Sequence, residues 1–146
     1  VRVYDAASGK LQKTLTGHKG AVPALAFVTD DRLASAAGDR LVKVWNLGTG
    51  EAVDLAGYGA AVLAVAADPA GKLLVTGSVD KTVRGWNPAG GNPLWTWDGK
   101  SAACGVAVRK DGKQVAVGTA DGTLTLLAVG GGSPRPTGSA AAHGAG

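Results

Sequence analysis

The feature that most constrains the fold is a short unit of turn and strand that recurs at a fixed spacing. Within 38–46, a tight turn at Asp39 precedes a strand in which apolar and polar residues alternate, and Trp45 ends that strand. Trp86 follows Trp45 after 41 residues. The same step relates further residues: Tyr4 to Trp45 and Trp86 to Leu127; Val1, Val42, Val83 and Leu124; Gly9, Gly50, Gly91 and Gly132; and Asp39, Asp80 and Asp121. A repeat of about 40 residues of this kind predicts an architecture of small sheets.

The composition is that of a soluble chain made of strands and turns. Among 146 residues there are 24 Gly and 6 Pro, with abundant Val, Ala and Leu. This length is sufficient for one domain with a real core. The 15 basic and 11 acidic residues give a net charge of +4, and the basic residues are spread over the repeats rather than clustered. We therefore expect no nucleic-acid partner.

Several kinds of site and location are disfavoured by the same composition. A lone Cys104 supports neither an internal disulfide nor a thiolate metal site. His18 and His143 are far apart and lack a third ligand, so we expect no metal and no cofactor. No apolar run reaches the roughly 18 residues that a membrane span needs. No signal peptide is visible, which favours a cytoplasmic or nuclear location by default.

Short alternating strands and turns divide the sequence into five segments. Residues 1–15 predict the last two strands of a preceding unit, while 16–55 and 56–97 each predict a meander of four antiparallel strands. Residues 98–129 predict a third, degenerate unit that lacks its last strand. Residues 130–146 are rich in Gly, Ala, Ser and Pro, which predicts a flexible tail. The first segment begins within a unit and the sequence contains no Met, so we expect a processed product or part of a longer chain.

The occurrence of Gly17-His18, Asp39 and Val44-Trp45 within one repeat resembles the WD-repeat β-propeller family. The resemblance extends over about residues 1–129. It implies an all-β fold in which blades of four antiparallel strands stand in a ring around a central channel. Thirteen predicted strands are too few for such a ring, which usually has at least about four blades. We therefore expect an incomplete ring of about three to three and a half blades.

The resemblance also implies a hydrogen-bonded tetrad in each well-formed repeat. The matching residues in the first repeat are Trp45, Ser35, His18 and Asp39, so this repeat is expected to give the best-formed blade. A network of this kind satisfies buried polar groups and fixes the register of the strands.

The later repeats depart from this tetrad in different ways. The second repeat keeps Trp86, Thr76 and Asp80, but Tyr58 stands where His is expected. In the third, only Asp121 remains, and the other three positions carry Lys100, Val117 and Leu127. We expect the third blade to depend on packing of its apolar strand residues: Val106, Val108, Val115, Val117 and Leu126.

Two groups of side chains admit both a structural and a functional interpretation. Ser35, His18 and Asp39 have the residue types of a hydrolase triad, but no oxyanion loop or GxSxG motif accompanies them, so the structural interpretation is favoured and we expect no catalytic residue. Trp95 and Trp97 are two residues apart and face the same side of one strand. They either cover the neighbouring blade at an edge strand or form an exposed aromatic patch that binds a partner.

The function expected from these features is that of a non-catalytic scaffold that mediates protein–protein interactions within a larger assembly. The alternative is the propeller portion of a multidomain enzyme whose catalytic part lies outside this chain. The expected partners are other proteins, or the remaining blades on another segment or subunit. A homodimer could also close the ring, if each copy lent its N-terminal strands to the last blade of the other.

Overall fold

The computed structural model describes residues 1–141 and contains β-strands but no α-helix within them. In chain order the strands are β1 (Arg2–Tyr4), β2 (Leu11–Thr14), β3 (Ala24–Thr29), β4 (Arg32–Ala36), β5 (Val42–Asn46), β6 (Ala52–Leu55), β7 (Val62–Ala67), β8 (Leu74–Ser78), β9 (Thr82–Trp86), β10 (Trp95–Asp98), β11 (Ala103–Val108), β12 (Gln114–Thr119), β13 (Thr123–Ala128) and β14 (Arg135–Ala141).

Consecutive strands pair antiparallel to form three four-stranded sheets and one two-stranded sheet. We call β3–β6 the first blade, β7–β10 the second blade, β11–β14 the third blade and β1–β2 the half-blade. The blades lie side by side, because β3 contacts β7 and β7 contacts β11. The predicted all-β fold, an incomplete ring of four-stranded antiparallel blades, is confirmed.

The main correction to the sequence-based prediction is strand β14. The third blade was expected to lack its fourth strand and to end in a tail over 130–146, but Arg135–Ala141 pairs along the whole of β13. Every residue of β14 is exposed, so the strand is held by main-chain hydrogen bonds rather than by apolar burial. The Thr137 hydroxyl adds a bond to the carbonyl oxygen of Leu126. A segment that has too few apolar residues to build a core can therefore still form an edge strand.

Strand β14 also changes the expected closure of the ring. The described chain has fourteen strands rather than thirteen, and the fourth position of the third blade is occupied. The predicted exchange of N-terminal strands between two copies has no empty position in that blade to fill. The remainder of the predicted tail, 142–146 with His143, lies outside the described residues.

Apolar clusters fill the spaces between neighbouring blades. The half-blade and the first blade share Leu15, Leu33 and Trp45, with Val1, Val3 and Leu47 packed against them. The first and second blades share a larger cluster: Val28, Ala34, Ala36, Val42, Val44, Leu55, Tyr58, Val62, Val65, Leu74 and Trp86. The second and third blades share Val75, Val83, Ala103, Val115, Val117 and Leu127. Full burial of each Val or Leu side chain stabilises the fold by about 1.5–3 kcal/mol. These clusters therefore hold each blade against the next.

Packing of the third blade differs from the prediction at one position. Leu127 is fully buried and pairs with Val115 across the sheet, whereas Leu126 remains 36% exposed. The expectation that Leu126 packs in this blade is therefore wrong, because adjacent residues of a strand point to opposite faces of the sheet. Val106 and Val108 pack against the cluster that Leu127 joins.

Candidate functional site

The four tetrad residues of the first blade lie in one hydrogen-bonded chain. Trp45 of β5 donates its indole N–H to Ser35 Oγ of β4 over 2.8 Å. Ser35 Oγ lies 2.7 Å from His18 Nε2, and His18 Nδ1 lies 2.9 Å from Asp39 Oδ2. His18 belongs to the loop before β3 and Asp39 to the turn between β4 and β5. The chain therefore ties an incoming loop, a turn and the two central strands together.

The direction of each hydrogen bond follows from what each group can donate. An indole N–H only donates, so Ser35 Oγ accepts from Trp45. The single Ser35 hydroxyl proton is then available to His18 Nε2, which accepts it. In the neutral tautomer with the ring proton on Nδ1, His18 donates that proton to the Asp39 carboxylate. A neutral imidazole satisfies every group in this chain.

The Asp39 carboxylate also fixes the backbone on both sides of it. Oδ2 accepts the backbone N–H of Lys19 over 2.8 Å, and Oδ1 accepts that of Leu41 over 3.2 Å. Burial raises the pKa of Asp39, but the hydrogen bonds from Lys19, His18 and Leu41 outweigh it and leave the pKa below its ordinary value. Asp39 therefore remains ionised and joins the loop before β3 to the turn after β4.

The second blade builds a shorter network with a tyrosine. Trp86 donates its indole N–H to Thr76 Oγ1 over 3.2 Å, and Tyr58 Oη lies 2.7 Å from the same hydroxyl oxygen. Tyr58 is only 6% exposed, and its burial raises the pKa of its hydroxyl to about 12. Tyr58 therefore occupies the histidine position as a neutral group, and the network ends there, since no hydrogen bond joins Tyr58 to Asp80 in the described residues.

Arg84 bridges the gap between Tyr58 and Asp80. Its guanidinium lies 4.6 Å from the centre of the Tyr58 ring, and its Nη2 lies 3.7 Å from Asp80 Oδ2. Asp80 also accepts the backbone N–H groups of Gly59 and Thr82. A stacked cation thus replaces the imidazole as the link between ring and carboxylate.

Sequence reasoning identified Tyr58 but missed Arg84. The available signal was that Arg84 stands 41 residues after Lys43, the other cation placed beside a tetrad aromatic. Lys43 Nζ lies 5.7 Å from the centre of the Trp45 ring and 2.7 Å from Asp54 Oδ1. Both blades therefore have a cationic side chain beside an aromatic ring at the same position of their third strand.

The third blade keeps only the turn carboxylate. Val117 and Leu127 are buried in the apolar cluster, and Lys100 is exposed. Asp121 Oδ1 accepts the Thr119 hydroxyl over 2.6 Å and the Thr123 backbone N–H over 3.0 Å. Since Asp39 and Asp80 accept the backbone N–H two residues ahead in the same way, this carboxylate has a local turn function that does not require a tetrad.

Trp95 and Trp97 are both half-buried on β10. They pack against the cluster between the second and third blades, and the Trp95 ring lies directly over Gly85, leaving no space there for a side chain. Trp97 also lines a cleft of about 370 Å³ together with Lys100 and Asp121. Both rings thus cover the neighbouring blade, and the exposed part of Trp97 faces the cleft.

The geometry of Ser35 is unsuited to nucleophilic attack. Its side chain is fully buried, and its hydroxyl oxygen lies between the Trp45 indole and the His18 imidazole. No buried side-chain N or O atom within residues 1–141 lacks a hydrogen-bond partner. In the same residues, no three His, Cys, Asp or Glu side chains are grouped so as to hold a metal ion, and no helix could cross a membrane.

Comparison with protein families agrees with the strand arrangement. The sequence model of the family described as "WD domain, G-beta repeat" matches residues 9–46 and 52–87, together half of the chain. Each match includes the outer strand of one sheet, β2 or β6, and continues through the first three strands of the next blade. No curated protein matches the sequence. With four-stranded antiparallel blades and two matched repeats, this chain belongs to the WD-repeat family.

Proposed function

We propose that this chain is a non-catalytic WD-repeat scaffold that holds protein partners within a larger assembly. WD-repeat domains are, as a class, interaction scaffolds. The observation that carries the proposal is a contrast between the interior and the two ends of the row of blades. The polar side chains that resemble a catalytic set are engaged with one another inside the blades, whereas apolar side chains face solvent at both ends.

At one end, β3 exposes large apolar residues toward the half-blade. Leu25 is 51% exposed and Phe27 is 67% exposed. Their sheet partners show that Leu25 corresponds to Val65 of the second blade, since Leu25 pairs with Ser35 and Val65 pairs with Thr76. Val65 is only 9% exposed, because a complete blade covers it. We call this surface the first end face.

At the other end, β13 exposes the outer face of the third blade. Leu124 is 41% exposed and Leu126 is 36% exposed. The repeat relates Leu124 to Val42 and Val83, both of which are fully buried against the next blade. We call this surface the last end face. Apolar surfaces of this kind in a soluble domain mark sites of interaction with other proteins.

These end faces favour completion by another segment or subunit. Between neighbouring blades, the surfaces that correspond to these two end faces are buried in apolar clusters. Partner proteins or further blades would cover them in the same way, and the covered surface would contribute favourable hydrophobic free energy.

The proposal can be tested by isolating the tagged chain with chemical cross-linking and mass spectrometry. The natural chain is compared with Leu126→Lys. Leu94→Lys is the matched control, because Leu94 is exposed and bonds to Gly85 of β9 in the second blade, which forms neither end face. We expect Leu126→Lys to reduce the amount of a specific cross-linked partner by about tenfold or more, since a charge at the centre of an apolar interface costs several kcal/mol. Leu94→Lys should retain the partner.

Two outcomes would overturn this function. One is that the chain forms no cross-link to another protein at either end face and behaves as a stable monomer. The other is an enzymatic activity that Ser35→Ala abolishes while the variant remains folded, because that result would assign chemistry to the tetrad.

A further inference from the structure

We propose that the cleft between the second and third blades binds the guanidinium group of an arginine side chain from a partner protein. The cleft measures about 370 Å³ and is lined by residues of β10, β12, β13 and β14 and of the loop after β10. A volume of this size is typical of ligand sites in proteins. The inference rests on the proposed function, and it names a chemical group by which a partner is recognised away from both end faces.

The repeat shows which side chain the third blade lacks. The 41-residue step relates Lys43 to Arg84 and Arg84 to Thr125. The sheet register agrees, because these three residues pair with equivalent residues of the second strand in each blade: Ser35, Thr76 and Val117. The third blade therefore carries a short neutral side chain at the position where the first two blades hold a cation beside an aromatic ring.

Backbone hydrogen bonds identify a second difference. In each blade, the residue before the turn aspartate donates its N–H to a carbonyl oxygen of the preceding loop: that of Ala21, Ala61 or Ala102. His18 and Tyr58 stand three residues before the first two of these alanines, and Gly99 stands three residues before the third. By this register Gly99, rather than Lys100, takes the place of the ring. The third blade has no side chain there.

The Trp97 ring borders the space that results. A Cβ atom on Gly99 would lie 2.9 Å from Trp97 Cζ3 and 3.2 Å from Trp97 Cη2. Trp97 is half-buried and lines the cleft together with Gly99 and Thr125. An aromatic face therefore lies near the position of the missing cation, as the Tyr58 ring lies beside Arg84 in the second blade. Guanidinium groups stack favourably on such rings.

The carboxylate of Asp121 supplies the opposite charge. In the first two blades, Oδ2 of the turn aspartate accepts a loop N–H, from Lys19 or Gly59. Both hydrogen bonds that Asp121 accepts within residues 1–141 go to Oδ1 instead, so Oδ2 can accept another donor. The hydrogen bond from the Thr119 hydroxyl holds the pKa of Asp121 below its ordinary value, so the carboxylate is ionised at neutral pH. Hydrogen bonds between a guanidinium and a carboxylate are about twice as strong as neutral ones.

The hydroxyl of Thr125 is a buried group that can accept a further hydrogen bond. Thr125 is only 7% exposed, and its hydroxyl forms no hydrogen bond with another group of residues 1–141. No side-chain oxygen sealed from solvent in this range lacks a partner, so the Thr125 oxygen is reached from the cleft that it lines. Ser139 pairs with Thr125 and lines the same cleft. These hydroxyls offer acceptors to a guanidinium, which can only donate.

The charges that line the cleft favour a cationic ligand. Asp98 and Asp121 contribute two carboxylates and Lys100 one ammonium, and none of the three forms an ion pair within residues 1–141. A cation therefore enters a lining of net negative charge. Arginine fits better than lysine, because its planar group has five N–H donors and meets a carboxylate, hydroxyl oxygens and an aromatic face together.

Short blocked peptides with one arginine, lysine or citrulline between glycines serve as probes. Citrulline is the matched control, because it keeps the length and the planar end of arginine but carries no charge. NMR titration of the isotope-labelled chain measures affinity, and the Trp97 indole N–H and the Thr125 amide report where the peptide binds. We expect the arginine peptide to bind at least about tenfold more tightly than the citrulline peptide and about fivefold more tightly than the lysine peptide.

Variants test the groups that line the cleft, and urea unfolding shows that each remains folded. Asp121→Asn keeps an oxygen for the turn but removes the charge, and it should weaken binding of the arginine peptide by about tenfold or more. Asp111→Asn is the matched control and should bind normally, because Asp111 is a turn carboxylate outside the cleft. Thr125→Val removes only the hydroxyl and should weaken binding about fivefold. Thr125→Arg supplies the cation from the chain itself, as Arg84 does, and should abolish binding.

Four results would overturn the arginine site. They are equal binding of the arginine and citrulline peptides, equal binding to the natural chain and Asp121→Asn, undiminished binding to folded Thr125→Arg, and free arginine that binds at least about tenfold more tightly than the blocked peptide. The last would show a site for the amino acid itself rather than for a partner's side chain.

The outcome for this site can be separated from the outcome for the scaffold. If any of these four results appears while Leu126→Lys still releases the cross-linked partner, the scaffold function stands and only the arginine site is wrong. Binding of the arginine peptide as expected, without any cross-linked partner, would keep the cleft as an arginine site and overturn the scaffold function.

Discussion

Replacing Ser35 by alanine should destabilise the chain through a single lost oxygen atom. Ser35 Oγ accepts the Trp45 indole N–H and donates to His18 Nε2, at 2.8 Å and 2.7 Å. Trp45 is 3% exposed, so its N–H finds no water when the hydroxyl is removed. An unsatisfied buried donor costs about 1–3 kcal/mol, and the weakened His18 bond adds a smaller amount. We expect a total loss of about 2–3 kcal/mol in the free energy of unfolding.

Urea unfolding followed by tryptophan fluorescence measures this loss directly. For a chain of this size, the same loss lowers the melting temperature by about 4–12 °C. Ser35→Thr is the matched control, because Thr76 occupies the same position in the second blade and keeps the hydroxyl. Because Ser35→Thr keeps the hydroxyl that bonds Trp45 and His18, it should cost less than Ser35→Ala. If Ser35→Ala is as stable as Ser35→Thr, the network does not stabilise the blade and the structural interpretation of the tetrad is refuted.

Three further predictions test the turns, the aromatic core and the turn carboxylates. Arg40→Gly and Lys81→Gly should each stabilise the chain by about 0.5–1 kcal/mol in thermal unfolding, because both residues have left-handed backbone angles, φ of 67° and 71°; a loss of stability would show that their side chains matter more than their backbone. Trp45→Ala should cost about 3–5 kcal/mol by urea unfolding, and an unchanged midpoint would contradict burial of this ring. Asp39 and Asp80 have pKa values lowered below 3.8, so their contribution to stability is present above that pH and is lost as the pH falls through their folded values. Asp39→Asn should reduce this acid-dependent loss of stability as the pH falls below 3.8, and an identical pH profile would contradict the inference.

The periodic positions were the part of the fold that could be predicted. The step from Trp45 to Trp86 and the recurring turn aspartates indicated the strands and turns, because each such residue is required by local backbone geometry or by burial. Strand β14 could not be predicted in this way, since it is exposed throughout and depends on the edge that β13 presents. The composition of a segment indicates whether its side chains can be buried, but it does not predict whether its main chain pairs with a neighbouring strand.

The side-chain networks were predictable only where the residue types matched the repeat. In the first blade the four tetrad residues form one chain of hydrogen bonds, from Trp45 through Ser35 and His18 to Asp39. The repeat step from Lys43 indicates a cation at position 84, but the link that Arg84 makes between Tyr58 and Asp80 was not predictable from it, because the link depends on where the Tyr58 ring lies relative to Asp80. The face on which Leu126 lies was likewise set by the strand register rather than by its apolar character.

The three blades show which parts of the tetrad the fold requires. At the position of Ser35, the later blades carry Thr76 and Val117, and all three side chains fill the same buried place. A hydroxyl is present where a tryptophan N–H needs an acceptor, and it is absent where Leu127 replaces that tryptophan. The polar network is therefore a consequence of burying an indole rather than a separate requirement of the sheet. The turn carboxylate persists in every blade, because its backbone acceptor role is independent of what the strands bury.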